Sequence, residues 1–275
     1  MCEDEGFLTS DDIRRGYIKP HGRAWKEVRY ANVGGLAVFE GCIILGKTEE
    51  VEASMQEIDH AVLAMPELLT MPDIAFEGIG ITGSQYRWEN RTVPFFISAD
   101  IPNSQRITEA IAHWHAKSSI RFVTRTSQPD YVNFVRTNDG CASLVGRQGG
   151  AQPLVLRDSC TTGNIIHELG HAVGLWHEQS REDRDQFVEI IRSNITPGKE
   201  FNFEQRVSNG DDLGAYDFGS IMHYPATAFS VTQAPTIRPR LPLPTGVVMG
   251  QRTSLSAGDI AAIEALYHGI PSAVS

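Results

Sequence analysis

Several features are scarce or missing in this chain, and each absence narrows what it does. No run approaches the roughly 18 apolar residues that a membrane span requires. No basic cluster offsets the formal charge of −10, which argues against a nucleic-acid partner. There is no internal repeat and no low-complexity tract, so a solenoid or a disordered tail is not indicated. The opening MCEDEGFLTS has neither the basic start nor the apolar core of a secretory signal. That leaves a protein that stays inside, or a chain that begins after a removed signal. Cysteine is rare, at four residues in 275 (Cys2, Cys42, Cys141 and Cys160), and that count alone does not settle the redox compartment.

What is present describes an ordinary globular protein, with 41% hydrophobic and 21% charged residues and length for one large domain or two smaller ones. The charge is uneven. Residues 1–78 carry 15 acidic and 7 basic side chains, while the remainder carries 19 and 17. Such a shift marks either a distinct N-terminal segment or a solvated acidic face. Lys47 to Leu63 is charged and helix-prone, and the following MPELLTMPDIAFEGIGITG, with two prolines and three glycines, reads as a connector. The boundary is expected near Glu77 to Gln85, dividing the chain into residues 1–80 and 81–275.

Beyond it, strand and helix signals alternate. Thr92 to Ser98, Ile120 to Arg125 and Tyr131 to Arg136 alternate as half-buried strands do. Ser104 to Lys117 has helical spacing at Ile107, Ile111 and Trp114. Shorter strands are predicted at Ser143 to Arg147 and Pro153 to Arg157, then a helix capped by Thr161 or Thr162. A stretch rich in Gly, Pro, Asn and Asp follows, and a last helix spans Ser256 to Tyr267. Sheet first and loops later gives an α+β class.

The chemistry is concentrated in HELGHAVGLWHEQSREDRD, residues 167–185. His167 and His171, four apart on a helix, project from one face and together can ligate Zn²⁺. Glu168 lies beside the first ligand, within reach of a metal-bound water. Gly174 lets the backbone leave the helix with a positive φ, so that the chain can return with His177 as a third ligand. Three imidazoles leave one position open, as catalytic sites do. Five fixed residues in this pattern arise by chance about 6 × 10⁻⁵ times across such a chain, so incidental core histidines are set aside. His21, His60, His113, His115, His223 and His268 fit no ligand spacing and read as structural or surface residues.

This stretch resembles the signature HExxHxxGxxHExxRxDRD of the astacin family of metzincin proteases at every fixed position, and SIMHY, residues 220–224, resembles that family's Met-turn. The resemblance covers about Ser84 to Gly269. It implies a zincin-like catalytic domain: a mixed twisted sheet and a long zinc-binding helix in its first half, an irregular second half, and a final helix. It also implies one zinc held by His167, His171 and His177, Glu168 as general base, and Met222 as the floor beneath the metal. Tyr224 would ligate zinc at rest and swing to stabilise the oxyanion. Glu178 would meet the new N-terminus of the mature enzyme through water. Zinc would acidify a bound water and polarise the substrate carbonyl, while Glu168 passes the proton to the leaving amine.

Cys141 and Cys160 match a family disulfide, which implies export and hence a signal removed beforehand. The second family disulfide, from the early catalytic domain to the C-terminal helix, has no cysteines here, so that end must rely on packing. Protein or peptide substrates would lie extended against an edge strand around Ser143 to Arg147. Family members often favour an acidic residue after the cut bond, and no basic residue to read it stands out.

Astacin pro-segments commonly carry FEGD, whose aspartate caps the zinc. Here Phe39 to Cys42 reads FEGC. The resemblance implies that Cys42 supplies a thiolate to the fourth position, so that the chain's own pro-segment inhibits it. Three rivals remain: a Cys42–Cys2 disulfide, a buried apolar thiol, or a cap from the near-copy Phe76-Glu77-Gly78 through Glu77 or Asp73. The expectation is a secreted, monomeric, latent zinc endopeptidase. A zinc-binding recognition module and a metal hydrolase acting on a non-peptide bond are the alternatives.

Overall fold

A computed structural model describes residues 6–18, 25–65, 84–205 and 213–272. The leader, residues 6–65, begins with four strands: β1 (Ile13–Ile18), β2 (Lys26–Val33), β3 (Leu36–Phe39) and β4 (Ile43–Lys47). They pair antiparallel in sequence order. Helix α1 (Thr48–Ala64) packs back over them. Leader strands β1 and β2 went unread in the sequence because charge masks their alternation. Val28 and Tyr30 point inward from β2, while Arg15 and Glu27 pair across the solvent face at 2.9 Å. Tyr17, Trp25, Val28, Tyr30, Phe39, Val51 and Ile58 give this unit its own apolar core.

The body supplies β5 (Thr92–Ile97), α2 (Gln105–Lys117), β6 (Arg121–Thr124), β7 (Tyr131–Arg136), β8 (Cys141–Ser143), β9 (Ala151–Leu156) and α3 (Thr162–Val173). Strands β6, β5, β7 and β9 run parallel, and β8 returns antiparallel at the edge. That edge is two residues earlier than the Ser143 to Arg147 read from the sequence. The chain leaves the sheet after Ser143 and reaches a left-handed turn at Gly146, whose N–H donates to the carbonyl of His171 on α3. Leader strand β4 joins β8 in parallel through the single pair Ile43↔Ser143, making one nine-stranded sheet ordered β1-β2-β3-β4-β8-β9-β7-β5-β6.

Helices α2 and α3 cover one face of the body's sheet. Ile107, Ile111 and Trp114 of α2 are buried with Ile165, Ile166 and Leu169 of α3. Two tryptophans donate their indole N–H to α3 carbonyls, Trp114 to Ile166 at 3.2 Å and Trp88 to Ala172 at 2.8 Å, which holds the helix against the core. His113 and His115 accept backbone N–H bonds from Leu255 and Phe122, so both are structural.

The second half is mostly loops around a short antiparallel strand pair, β10 (Val188–Ile190) with β11 (Ile237–Pro239), and ends in α4 (Ala257–Leu266). Ser256 caps α4, accepting from the Asp259 N–H. No second disulfide is found among the described residues; Arg91 serves the same joint. It donates to Glu264, to Ser119, and to the carbonyls of Tyr267 and Ile270. The Tyr267 hydroxyl donates to the carbonyl of Val173 at the end of α3. Cys141 and Cys160 do form a disulfide, tying β8 to the start of α3.

Candidate metal centre

The site is built on α3. Thr161 and Asn164 form a reciprocal capping box at its start, which satisfies N–H groups that the first turn leaves unpaired. From there the helical repeat carries His167, Glu168 and His171 into the buried interior. Gly174 ends the helix with φ +112°, a left-handed conformation that glycine adopts without a Cβ penalty. The chain then doubles back and presents His177.

The three rings face one point, and their hydrogen bonds explain why. Nδ1 of His167 donates to the carbonyl of Ile221 at 2.8 Å, and Nδ1 of His171 to that of Leu175 at 2.8 Å. Nδ1 of His177 donates to Oε2 of Glu40, a leader residue, at 2.7 Å. With each proton on Nδ1, the Nε2 lone pairs are free to ligate. All three Nε2 atoms converge on the Cys42 sulfur, at 3.4, 3.4 and 3.1 Å from His167, His171 and His177. A tetrahedral zinc sets its sulfur about 3.6 Å from each ligand nitrogen. The donor set therefore fits one zinc ion, and every member is buried.

Burial works against charge on these side chains. Burial pushes the Cys42 thiol well above its ordinary range, and the nearby charge of Glu168 pushes it further. Burial drives His167 well down and Glu168 well up. A divalent cation among these groups reverses the thiol's preference and stabilises the thiolate. Oε2 of Glu168 is buried with no hydrogen-bond partner among the described residues. It borders a small cavity shared by His167, Cys42, Phe7, Asn164 and Arg252.

Met222 is buried against α3, its sulfur 2.6 Å from where a Cβ at Gly170 would lie. The turn around it is braced from two sides. Asp259 accepts from the Ser220 hydroxyl and the Ile221 N–H at 2.6 and 2.9 Å, and Arg252 donates to the carbonyls of Ile221 and His223. His223 is buried, its Nδ1–H donating to the carbonyl of Tyr224 while Nε2 accepts from the Tyr216 hydroxyl. Tyr224 is fully buried, and its hydroxyl donates to the carbonyl of Glu40 at 2.7 Å. Glu178 accepts from the Asp217 N–H at 2.8 Å and pairs with Arg181 at 3.5 Å. Burial raises its carboxyl to about 8.

The structure thus brings together Cys42, His167, Glu168, His171, His177 and Tyr224. Glu178 lies outside that cluster, on a separate small cavity shared with Asp217 and Met222. Cys42 is a free, buried thiol. Its rivals Cys2, Asp73 and Phe76-Glu77-Gly78 lie outside the described residues. Sequence reasoning missed three groups. Glu40, inside the FEGC stretch, orients His177 and holds Tyr224; its place next to the cap was the available signal. Arg252 borders the Glu168 cavity and Phe7 packs on Tyr224, and no local pattern announces either one.

Comparison with known proteins places this geometry. The model of the astacin family of peptidases matches residues 80–268. Zinc metalloproteinase nas-13 of Caenorhabditis elegans is 45% identical over 188 residues, 66% of this chain and 41% of its own length. Bone morphogenetic protein 1 homolog of Strongylocentrotus purpuratus is 40% identical over 285 residues, 97% of this chain and 42% of its own. The chain therefore spans about two fifths of these relatives. Among solved structures, high choriolytic enzyme 1, a hatching enzyme zinc-protease of Oryzias latipes, is 38% identical with a TM-score of 0.62, covering 68% of this chain and 96% of that one. No helix among the described residues is long and apolar enough to cross a membrane. By the extent of the family match, the relatives' identity and a cluster of three histidines and a cysteine positioned for one zinc ion, the chain belongs to the astacin family of zinc metalloendopeptidases.

Proposed function

We propose that the chain is an exported zinc endopeptidase in its latent form, with residues 1–80 as inhibitory leader and 81–275 as catalytic part. The observation that carries this reading is the convergence of three Nε2 atoms on the sulfur of Cys42, a leader residue, beside the buried carboxyl of Glu168.

His167, His171 and His177 would hold the zinc, with Cys42 as the latent fourth ligand. When bound, zinc supplies Lewis-acid polarisation of the carbonyl and acidifies water. Glu168 accepts the proton of the attacking water and delivers it to the leaving amine nitrogen; its burial favours holding that proton between the two steps. The Tyr224 hydroxyl, released from the Glu40 carbonyl, donates to the oxyanion that develops on the scissile carbonyl. Arg252, which lines the same cavity as Glu168, would be the basic group to read an acidic side chain there. Glu178, on its own cavity of about 30 Å³, would receive the new ammonium terminus.

Latency follows from occupation. Leader strand β4 takes the β8 edge, with the Ser143 N–H donating to the carbonyl of Cys42 at 2.9 Å. An extended peptide substrate would need that edge. The leader runs parallel to β8, opposite to the direction expected of substrate, so it fills the cleft without offering a bond in the productive sense. The Cys141–Cys160 disulfide supports an oxidising, extracellular compartment.

The test is hydrolysis of unstructured peptides by the processed protein, with metal analysis and N-terminal sequencing. Zinc-dependent cleavage that disappears in Glu168→Ala is expected. Full cleavage by a zinc-free sample, or by Glu168→Ala, would overturn the reading.

A further inference from the structure

A second piece of leader crosses the cleft beside β4. The Cys141 N–H donates to the carbonyl of Gly6 at 2.8 Å, and the Leu8 N–H to the carbonyl of Gly41 at 2.7 Å. Between these anchors Phe7 projects into a slot made by the body. Its ring stacks on Phe229, with centroids 4.7 Å apart and planes 11° from parallel, and tilts against Tyr224 at 5.0 Å. Fully buried Phe203 closes the slot, edge-on to Phe229 and Tyr224 at 6.0 and 5.9 Å. Gly41 completes the fit, since a Cβ there would lie 2.9 Å from the rings of both Phe7 and Phe229.

Phe7 takes no part in the leader's own core. It packs instead with the core of the body's second half. The walls of the slot therefore belong to the enzyme and the occupant to the inhibitor. Phe7 also borders the cavity of Glu168, His167 and Arg252, and the Tyr224 ring lies 4.8 Å from that of His177. An occupant of the slot thus sits next to the reacting groups.

We propose that the slot formed by Phe203, Tyr224 and Phe229 is a side-chain subsite that, once the leader is gone, takes an aromatic residue of the substrate adjoining the cut bond. The inference rests on the protease reading above and deepens it. Its physical basis is the pair of flat walls, which favour a planar, apolar side chain by stacking and by removing ring surface from water. Phe7 is then the built-in mimic of that residue.

The processed protein is assayed against peptides with Phe, Leu, Ala or Asp scanned through the three positions on each side of the cut. At one position Phe should exceed Ala by at least about tenfold in kcat/KM. Phe229→Ala should lower turnover of that Phe peptide about tenfold more than turnover of its Ala counterpart. A binding readout avoids turnover altogether: GFLTSDDIRR, residues 6–15, is titrated onto leader-free Glu168→Ala protein processed in trans by wild type. It should bind at least about tenfold tighter than the same peptide with Phe7→Ala. Equal losses on both substrates together with equal binding overturn the slot. If wild type cuts no peptide, the protease reading fails instead; full chain nicked in the 66–83 connector and stripped of its leader in urea then supplies the protein for the titration, which still decides the slot.

Discussion

The leader and the C-terminal helix α4 both lie against the catalytic body, and neither is joined to it by a disulfide among the described residues. They are held in opposite ways. The leader reaches the reactive centre through Cys42 on the three imidazoles, Glu40 on His177 and Tyr224, and Phe7 on Tyr224 and Phe229. It is also held by Lys199 on Ser10 and Asp11, and by Leu8, Val38 and Ile44 packed with Ala142, Val155 and Phe201. Its strand contact with the body is one residue pair, against six between β1 and β2. The α4 joint avoids the metal ligands: Arg91 and Tyr267 reach backbone carbonyls, and Ile263 and Tyr267 are buried in the body's core. One joint passes through the groups positioned to hold the metal. The other passes beside them, through Asp259 and the turn bearing Met222.

The sharpest break in this comparison is Cys42→Ala. Replacing a residue that only orients a ligand costs about 10–100-fold in metal affinity or activity; removing the capping ligand itself should do more. Unprocessed Cys42→Ala protein is expected to hydrolyse peptides at least about 100-fold faster than unprocessed wild type. Its far-UV circular dichroism should be unchanged, because the leader core of Tyr17, Tyr30, Phe39 and Ile58 does not involve Cys42. Latency equal to wild type would show that strand and aromatic contacts suffice without the thiol.

Glu40→Ala asks whether the leader also strengthens the metal's hold. It removes the carboxylate on His177 Nδ1, a fully buried pair at 2.7 Å. Zinc affinity of the full chain, measured by competition with a chromogenic chelator, should fall about 10–100-fold. The processed protein, already without Glu40, should match the mutant more closely than it matches the intact wild type. A Glu40→Ala affinity equal to that of intact wild type would show that Glu40 adds nothing to the metal's hold.

How much of this was legible in the sequence follows from the range of each interaction. Residues 167–177 encode the placement of their three imidazoles through helical spacing and a left-handed glycine, though Ile221 and Glu40 orient two of the rings. Ile107, Ile111 and Trp114 gave α2, and Val132 and Phe134 gave β7, for the same local reason. What escaped depends on distant partners. Glu40 meets His177 across 137 positions and Tyr224 across 184. The edge strand β8 was read too late because Leu144 and Val145 look like strand but turn inward, Val145 to join the leader's core. No local pattern marks Arg91, whose acceptors lie up to 179 positions away.

Arg91 also gives the smallest effect and the finest test. A lysine there keeps the charge but loses the planar fork that reaches four acceptors. Glu264 is 43% exposed, so its ion pair contributes little. The loss should come from the Tyr267 and Ile270 carbonyls, which only Nη2 and Nε reach. Arg91→Lys is therefore expected to cost about 1–2 kcal/mol, a fall in melting temperature of about 3–6 °C for a body of this size. Because the α4 joint does not pass through the ligands, zinc affinity and the latency of the full chain should stay as in wild type. A mutant that loses zinc, or activates early, would mean that the two joints are coupled through Asp259 and the turn bearing Met222, and that the division drawn between them is wrong.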